Sequence, residues 1–219
     1  MFIAIGGGSL REMTEVNDYI AAKLEYIRMQ FERKPKILFL PQASFESKPY
    51  VNSFTREFGT RLKCKTTCAL WAKGEMDFEH IKQKFEIVDC IYIGGGRYDV
   101  LCEQFEKMGI KKLIVDFYNR GGLIVGNSAG AMLMFESCVS DYKIMAGISD
   151  SYELADGYGL VKGCLCPHGN EQARIDYVAQ NKLDCIVLAE NEILEFKRNI
   201  SFLQILKINF SNNINFNLK

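Results

Sequence analysis

A serine at position 128 stands in a sequence context that is typical of an activated nucleophile. Residues 126–130 read Gly-Asn-Ser-Ala-Gly and match the pattern G-x-S-x-G. The apolar run 123–125 precedes this pattern and a predicted helix begins near Ser128, which is the strand-to-helix context that the motif requires. Gly126 and Gly130 carry no side chains that would collide across so tight a turn. The pattern predicts a Ser128 hydroxyl lifted out at a sheet edge; the alternative is a small-residue turn without chemistry.

A nucleophilic serine needs a general base, and the chain contains two histidines. His80 lies in the charged run 77–82, which is typical of a solvated surface helix. His168 follows an apolar run that ends at Pro167, and it precedes Gly169, where a strand would open into a loop. We predict that His168 is the base. The alternative is a histidine that only hydrogen-bonds beneath a loop.

The base in turn needs an acceptor that fixes its tautomer. Glu190 follows the apolar run 185–189, which is another predicted strand end. Asp141, Asp150 and Glu171 are alternatives, and the residues by themselves do not decide among the four carboxylates.

Backbone N–H groups beside the serine could stabilise the oxyanion that forms during attack. Ala129 lies at the start of the predicted helix, where its N–H can donate to that oxyanion. A second donor is predicted in the turn at Gly95 and Gly96, which ends a buried strand; the alternative is a tight turn only. Asn127, next to the serine, is a predicted substrate-binding residue.

Short β-rich runs alternate with helical patterns along the first 130 residues. Strands are predicted at 2–6, 36–40, 65–71, 88–93 and 123–125, and helices at 13–29, 51–62, 76–85, 98–108 and 111–119. This alternation predicts an α/β fold with a parallel sheet covered by helices on both faces. Ligands bind at the carboxyl ends of such strands, where Ser128 and the glycine turns fall.

The second half of the chain is less regular. It predicts a β-rich excursion over 151–168, a helix over 171–180 and a hairpin-like pair over 185–197. We predict a single α/β domain over residues 1–200 and a C-terminal tail, 201–219, whose order the sequence leaves open.

Composition excludes several classes of function. The 219 residues carry 27 basic and 27 acidic side chains, and this balance argues against a nucleic-acid partner. No apolar run approaches the ~20 residues of a membrane span, and the N-terminus lacks the pattern of a signal peptide, so we expect a cytoplasmic protein.

The cysteines and glycine runs do not indicate a cofactor. The eight cysteines are expected to be buried free thiols, and their spacing does not match common zinc sites. Neither glycine run, 6–8 nor 94–96, matches a nucleotide-binding loop. We therefore expect no metal and no cofactor.

Several segments together resemble the dipeptidase E and cyanophycinase group of serine peptidases. The segments are 5–8, 40–43, 91–96, 126–131 and 156–168. The resemblance implies a fold like that of class I glutamine amidotransferases, a three-layer sandwich around a mostly parallel sheet. It also implies a triad of serine, histidine and an acidic residue.

The family's serine maps onto Ser128, its histidine onto His168 and its glutamate onto Glu190, while Asp141 falls near a family aspartate that competes for the third role. The oxyanion hole would combine the Ala129 N–H with one from the turn at residues 95–96.

The resemblance further implies hydrolysis of short peptides, including dipeptides with an N-terminal aspartate. A basic residue near the histidine helix would read that aspartate, and Arg174 is the nearest candidate. Arg97 departs from the family, which usually has asparagine there. The implied partner is a small peptide, with no nucleic acid and no membrane, and a homodimer is left open.

Two other functions remain as alternatives. One is a non-catalytic sensor or binding protein on the same fold. The other is an α/β-hydrolase-type esterase, whose chain order of serine, acid and histidine would need Asp141 or Asp150 as the acid.

Overall fold

A computed structural model describes residues 1–72, 74–198, 203–210 and 214–218 of the chain. The strands are β1 (Phe2–Ile5), β2 (Lys36–Leu40), β3 (Lys65–Cys68), β4 (Cys90–Ile93), β5 (Leu123–Asn127), β6 (Phe135–Ser140), β7 (Glu153–Asp156), β8 (Val161–Cys166), β9 (Cys185–Val187), β10 (Glu192–Arg198), β11 (Leu203–Asn209) and β12 (Ile214–Leu218). The α-helices are α1 (Thr14–Lys23), α2 (Glu25–Phe31), α3 (Lys48–Phe54), α4 (Phe78–Ile87), α5 (Tyr98–Lys107), α6 (Ile110–Asn119), α7 (Ala129–Met132), α8 (Tyr142–Met145) and α9 (Gln172–Gln180). A 3-10 helix spans Gln42–Ser44, and a π-helix, Thr55–Arg61, continues from α3.

The large sheet has the order β12-β11-β10-β1-β5-β4-β2-β3 within the described residues. The five strands β1, β5, β4, β2 and β3 run parallel to one another. On the other side of β1, strands β10, β11 and β12 are each paired antiparallel to their neighbour. The carboxyl ends of β1, β5 and β4 therefore meet at one edge, which positions the glycine turns beside Ser128. The α/β prediction with a mostly parallel sheet is confirmed.

Apolar side chains pack on both faces of this sheet. Ile91 and Ile124 belong to one buried cluster, and their chain neighbours Tyr92 and Val125 belong to a second cluster. Successive strand residues point to opposite faces, so these continuous apolar runs fill two cores at once. The helices that cover the two cores complete the three-layer sandwich.

A second, smaller sheet has the order β7-β6-β8-β9. The predicted hairpin over 185–197 is wrong, because β9 pairs with β8 in the small sheet while β10 pairs with β1 in the large one. β9 is the edge strand of the small sheet, whereas β10 lies between β1 and β11 in the large sheet, so the residues between β9 and β10 cross from one sheet to the other. Glu190 lies in that crossing.

Two cysteines form a disulfide between neighbouring strands. Cys164 in β8 lies directly opposite Cys185 in β9, with 4.4 Å between their Cα atoms. The expectation of free thiols is wrong for this pair, because parallel registration brings the two side chains to bonding distance on one face. The six other cysteines are free.

Residues of the predicted tail continue the large sheet, since 203–209 and 214–218 are strands β11 and β12. The predicted boundary at residue 200 lies outside the described residues, so the division into domain and tail stays a prediction. No helix in the described ranges combines the length and apolar character that crossing a bilayer would require.

Asp89 supplies a pH-dependent contribution to stability at the sheet edge remote from Ser128. Both its carboxylate oxygens accept from Arg33 at 2.7 Å, and one accepts from the Lys36 N–H at 2.8 Å. Burial alone would raise the pKa of Asp89, but these bonds outweigh it and hold the pKa below its usual value. The stabilisation is therefore complete above the unfolded pKa of about 3.9 and is lost as pH falls through the lower folded value.

We expect Asp89→Asn to lower the free energy of unfolding by about 1 kcal/mol at pH 7, because Arg33 is partly exposed and the ion pair is screened. The difference from the wild type should shrink as pH falls below about 4 and disappear once the folded carboxyl is itself protonated. Urea unfolding at pH 7 and pH 3 measures it. Asp116→Asn removes an exposed carboxylate paired with Lys112 and is the matched control. An Asp89→Asn effect that is equal at both pH values would contradict the role.

Candidate active site

Ser128 lies in a strained turn between β5 and α7. Its backbone has φ 49° and ψ −110°, a region that residues with a side chain rarely occupy. A Cβ on Gly126 would lie 2.4 Å from the Gly130 oxygen, and one on Gly130 would lie 2.2 Å from the Ile93 oxygen. Only glycine fits at either position: Gly126 allows the turn to close on itself, and Gly130 allows it to pack against Ile93 of β4.

Three side chains predicted from the sequence lie in one hydrogen-bonded row. Ser128 Oγ is 2.8 Å from His168 Nε2, and His168 Nδ1 is 3.1 Å from Glu190 Oε1. With the proton on Nδ1, the imidazole donates to Glu190 and its Nε2 lone pair accepts from the serine hydroxyl. This arrangement is suited to removing the proton from Ser128.

The loop after β1 holds His168 in place. The His168 N–H donates to the Gly6 oxygen at 2.8 Å, and a Cβ on Gly7 would lie 2.5 Å from the imidazole Cε1. Gly7 is thus a site residue that sequence reasoning missed. The glycine run 6–8 signalled a close approach, but the residue that approaches comes from a distant part of the chain.

Other carboxylates predicted as alternatives lie farther from the imidazole or bind elsewhere. Glu171 Oε1 is 4.0 Å from His168 Nδ1, and its second oxygen accepts from Arg174 Nε at 2.8 Å. Asp141 binds Arg174 as well. Geometry therefore favours Glu190 as the group that orients His168.

Arg174 is enclosed within the protein. Its side chain is 2% exposed, and besides Glu171 and Asp141 it donates to the Val139 oxygen at 3.4 Å and lies over the Tyr152 ring at 5.0 Å. A guanidinium held in this way has its donors occupied. The structure does not bring Arg174 to the nucleophile as a substrate-binding group.

The predicted oxyanion donors lie around the serine. Ala129 is the first residue of α7, so its N–H has no acceptor within that helix. The Gly95 N–H donates to the Tyr50 hydroxyl at 3.3 Å, whereas the Gly96 N–H has no acceptor among the described residues. A Cβ on Gly95 would lie 3.3 Å from Ser128 Cβ, so this turn borders the nucleophile.

Asn127 and Arg97 occupy different surroundings. Asn127 is 4% exposed and donates through Nδ2 to the Gly8 oxygen at 3.3 Å. Arg97 binds the neighbouring Asp99, with 3.0 Å between Nε and Oδ1. Asn127 thus lies beside the nucleophile, whereas the Arg97 guanidinium is bound by the carboxylate of Asp99, two residues further along the chain.

The nearby thiol is not a competing nucleophile. Burial raises the pKa of Cys166 to about 11, so this thiol keeps its proton at neutral pH. In the part of the chain that the structure describes, no group of three or more histidine, cysteine, aspartate or glutamate side chains is arranged to hold a metal ion.

A serine elbow at the carboxyl edge of a parallel sheet places the protein among the α/β serine hydrolases. Residues 2–199 match the model of peptidase family S51, so the chain belongs to this family and is a serine-type peptidase. The predicted resemblance to the dipeptidase E group is thereby confirmed.

Individual relatives agree with the family. The chain is 30% identical over 188 residues to YgaJ of Bacillus subtilis (strain 168), described as an uncharacterized peptidase, covering 84% of this chain and 76% of that protein. Two solved structures share the fold. A peptidase from an acI-B1 Actinobacterium has a TM-score of 0.69 at 20% identity, over 95% of this chain and 86% of its own. A protein from Listeria monocytogenes EGD-e, described as a candidate peptidase E, has a TM-score of 0.64 at 17% identity, over 100% of this chain and 98% of its own.

Proposed function

We propose that this peptidase hydrolyses short peptides, dipeptides with an N-terminal aspartate among them, through an acyl-enzyme on Ser128. His168 is the general base and Glu190 orients it. The observation that carries the proposal is the row of two hydrogen bonds, 2.8 Å from Ser128 Oγ to His168 Nε2 and 3.1 Å from His168 Nδ1 to Glu190 Oε1. Nucleophile, base and orienting acceptor are thus in contact before any substrate binds.

In the first half of the reaction, Ser128 Oγ attacks the peptide carbonyl carbon while His168 Nε2 takes the hydroxyl proton. Glu190 stabilises the imidazolium that results. The imidazolium then gives this proton to the leaving amine as the peptide C–N bond breaks. The acyl group remains on Ser128 as an ester.

In the second half, water attacks the ester carbonyl. His168 removes a proton from that water and returns one to Ser128 Oγ as the acyl–oxygen bond breaks. The same base serves both halves, since the proton gained in each addition is released in the following collapse. The enzyme returns to its starting protonation state.

The tetrahedral intermediates of both halves carry an oxyanion. We assign its stabilisation to the Ala129 N–H and to the turn at Gly95 and Gly96, with the Gly96 N–H as the unoccupied donor. Losing one such donor costs about 3–4 kcal/mol of transition-state stabilisation in known cases. Both donors belong to the backbone, so the turns rather than particular side chains determine this part of the site.

The size of the cavity supports a short substrate. The cavity next to Asn127 and Gly95 has a volume of about 310 Å³, at the small end of ligand pockets, which span roughly 300–1,000 Å³. The preference for an N-terminal aspartate rests on the resemblance to dipeptidase E. The cytoplasmic location, the homodimer and the absence of a nucleic-acid partner stay predictions.

Labelling with a serine-directed phosphonate tests the proposal. We expect one adduct per chain by intact mass, located on the peptide that contains Ser128, and its formation should abolish hydrolysis of a dipeptide panel. Ser128→Ala should take no label and have no activity, while Ser137→Ala, a serine in β6, should behave as the wild type. A wild-type chain that takes no label, or a Ser128→Ala chain that retains activity, contradicts the proposal.

A further inference from the structure

A cavity beside the nucleophile is lined by Arg11, a charged residue that takes no part in the acyl transfer at Ser128. The cavity has a volume of about 310 Å³ and opens between the loop after β1, helix α3 and the turns that end β4 and β5. Its lining residues include Ser9, Arg11, Tyr50, Ser53 and Asn127. A volume of this size is at the small end of ligand pockets and is suited to part of a short peptide rather than to a protein segment.

The cavity borders the reacting centre. Asn127 directly precedes Ser128, and a Cβ on Gly95, which also lines the cavity, would lie 3.3 Å from Ser128 Cβ. Gly95 belongs to the turn assigned above to the oxyanion. A group bound in this cavity is therefore part of the substrate next to the bond being cleaved.

Arg11 is available to bind such a group. Its side chain is exposed and forms no ion pair with any residue that the structure describes. The adjacent carboxylate of Glu12 instead accepts from Ser9 Oγ at 2.7 Å. Arginine carries a planar fork of donors whose geometry matches a carboxylate, and no described acidic group occupies it here.

Tyr50 offers a second donor in the same cavity. Its hydroxyl oxygen accepts from the Gly95 N–H at 3.3 Å and from Asn127 Nδ2 at 3.5 Å. Both neighbours donate, so the phenolic proton itself is left for an acceptor. Burial raises the pKa of Tyr50, which keeps that proton in place at neutral pH.

We propose that Arg11 and Tyr50 form a subsite that binds a carboxylate of the peptide substrate next to the scissile bond. The proposal rests on the function proposed above and replaces Arg174, which is buried and paired, as the cation that reads substrate charge. The carboxylate has two possible sources in a dipeptide, an acidic side chain on the first residue or the C-terminal carboxylate. The chemistry at Arg11 is the same for both.

Four dipeptides separate these sources: Asp-Leu, Asn-Leu and the C-terminal amide of each. We expect Arg11→Gln to lower kcat/KM by about 10- to 100-fold for the peptides that carry the bound carboxylate, as loss of a charge-assisted hydrogen bond predicts. If Arg11→Gln lowers kcat/KM for both aspartyl peptides, the bound carboxylate is the aspartate side chain. If it lowers kcat/KM for both peptides with a free C-terminus, the bound carboxylate is the C-terminal one. Arg11→Lys should retain part of the preference, because charge remains but the fork is lost.

Arg56→Gln is the matched control, since Arg56 is exposed on the π-helix Thr55–Arg61 that follows α3 and does not line the cavity. Hydrolysis of p-nitrophenyl acetate, which has no carboxylate, should be the same in Arg11→Gln and wild type. Equal losses on all four peptides, or no loss on any, would overturn the subsite. Phosphonate labelling keeps the two proposals apart: a wild-type chain that takes label while Arg11→Gln retains every kcat/KM overturns the subsite alone, whereas an unlabelled wild type overturns both.

Discussion

Replacing His168 with alanine is expected to lower kcat by about 100,000-fold or more, the scale seen when a triad base is removed. The serine hydroxyl lies 2.8 Å from His168 Nε2, and among the described residues no other titratable side chain is hydrogen-bonded to it. Without the imidazole, Ser128 keeps its proton at neutral pH and the leaving amine has no acid. Steady-state and single-turnover kinetics on a dipeptide measure the loss.

His80→Ala is the control for this experiment. His80 is 69% exposed on the surface of α4 and bonds Asp77 at 2.9 Å, in agreement with the solvated histidine predicted from its charged surroundings. Its replacement should change kcat by less than about twofold. The double variant Ser128→Ala/His168→Ala should be no slower than either single variant, because the two residues act as a unit. His168→Ala retaining a tenth of wild-type kcat would exclude it as the base.

Replacing Glu190 with glutamine is expected to lower kcat by about 1,000- to 10,000-fold, as amide replacement of a triad acid does. Glutamine has nearly the same shape, but its amide cannot stabilise the imidazolium and can select the wrong tautomer of His168. The loss should therefore fall on kcat, with the melting temperature little changed, since the Glu190 side chain is 42% exposed.

Asp141→Asn and Glu171→Gln are the matched comparisons, because both carboxylates bind Arg174 rather than His168 at hydrogen-bonding distance. We expect each to lower the melting temperature, since the guanidinium is 2% exposed and loses a partner. Their kcat should fall by less than about tenfold. A large loss of kcat in Asp141→Asn together with a small one in Glu190→Gln would reassign the third member of the triad.

Local sequence patterns were sufficient for the nucleophile. The run 123–130 contains its own strand, its tight turn and Gly126, whose missing side chain would meet Gly130 within the same turn, so local backbone sterics explain most of the pose of Ser128. Gly130 instead faces Ile93 of β4, a contact that only the packed sheet creates. The same holds for β4 and β5, whose continuous apolar runs predict strands buried on both faces. These features depend on neighbours in the chain, which the sequence shows directly.

Contacts between distant segments were decided by tertiary structure. The hairpin predicted over 185–197 is two strands in different sheets, because β9 pairs with β8 in the small sheet and β10 pairs with β1 in the large sheet. That crossing is what places Glu190 beside His168. An apolar run predicts that a strand is buried, but it does not predict which other strand it pairs with.

The two arginines show the same division. The family resemblance implies that Arg174 reads the substrate, yet its guanidinium is enclosed with the carboxylates of Asp141 and Glu171. Arg11 carried no signal of its own in the sequence, and only the approach of α3 to the loop after β1 forms a cavity around it. Sequence alone determined that a serine would be presented at the edge of a parallel sheet. The tertiary structure decided which charges surround it, because the partners of a side chain come from whichever segments the sheet order brings together.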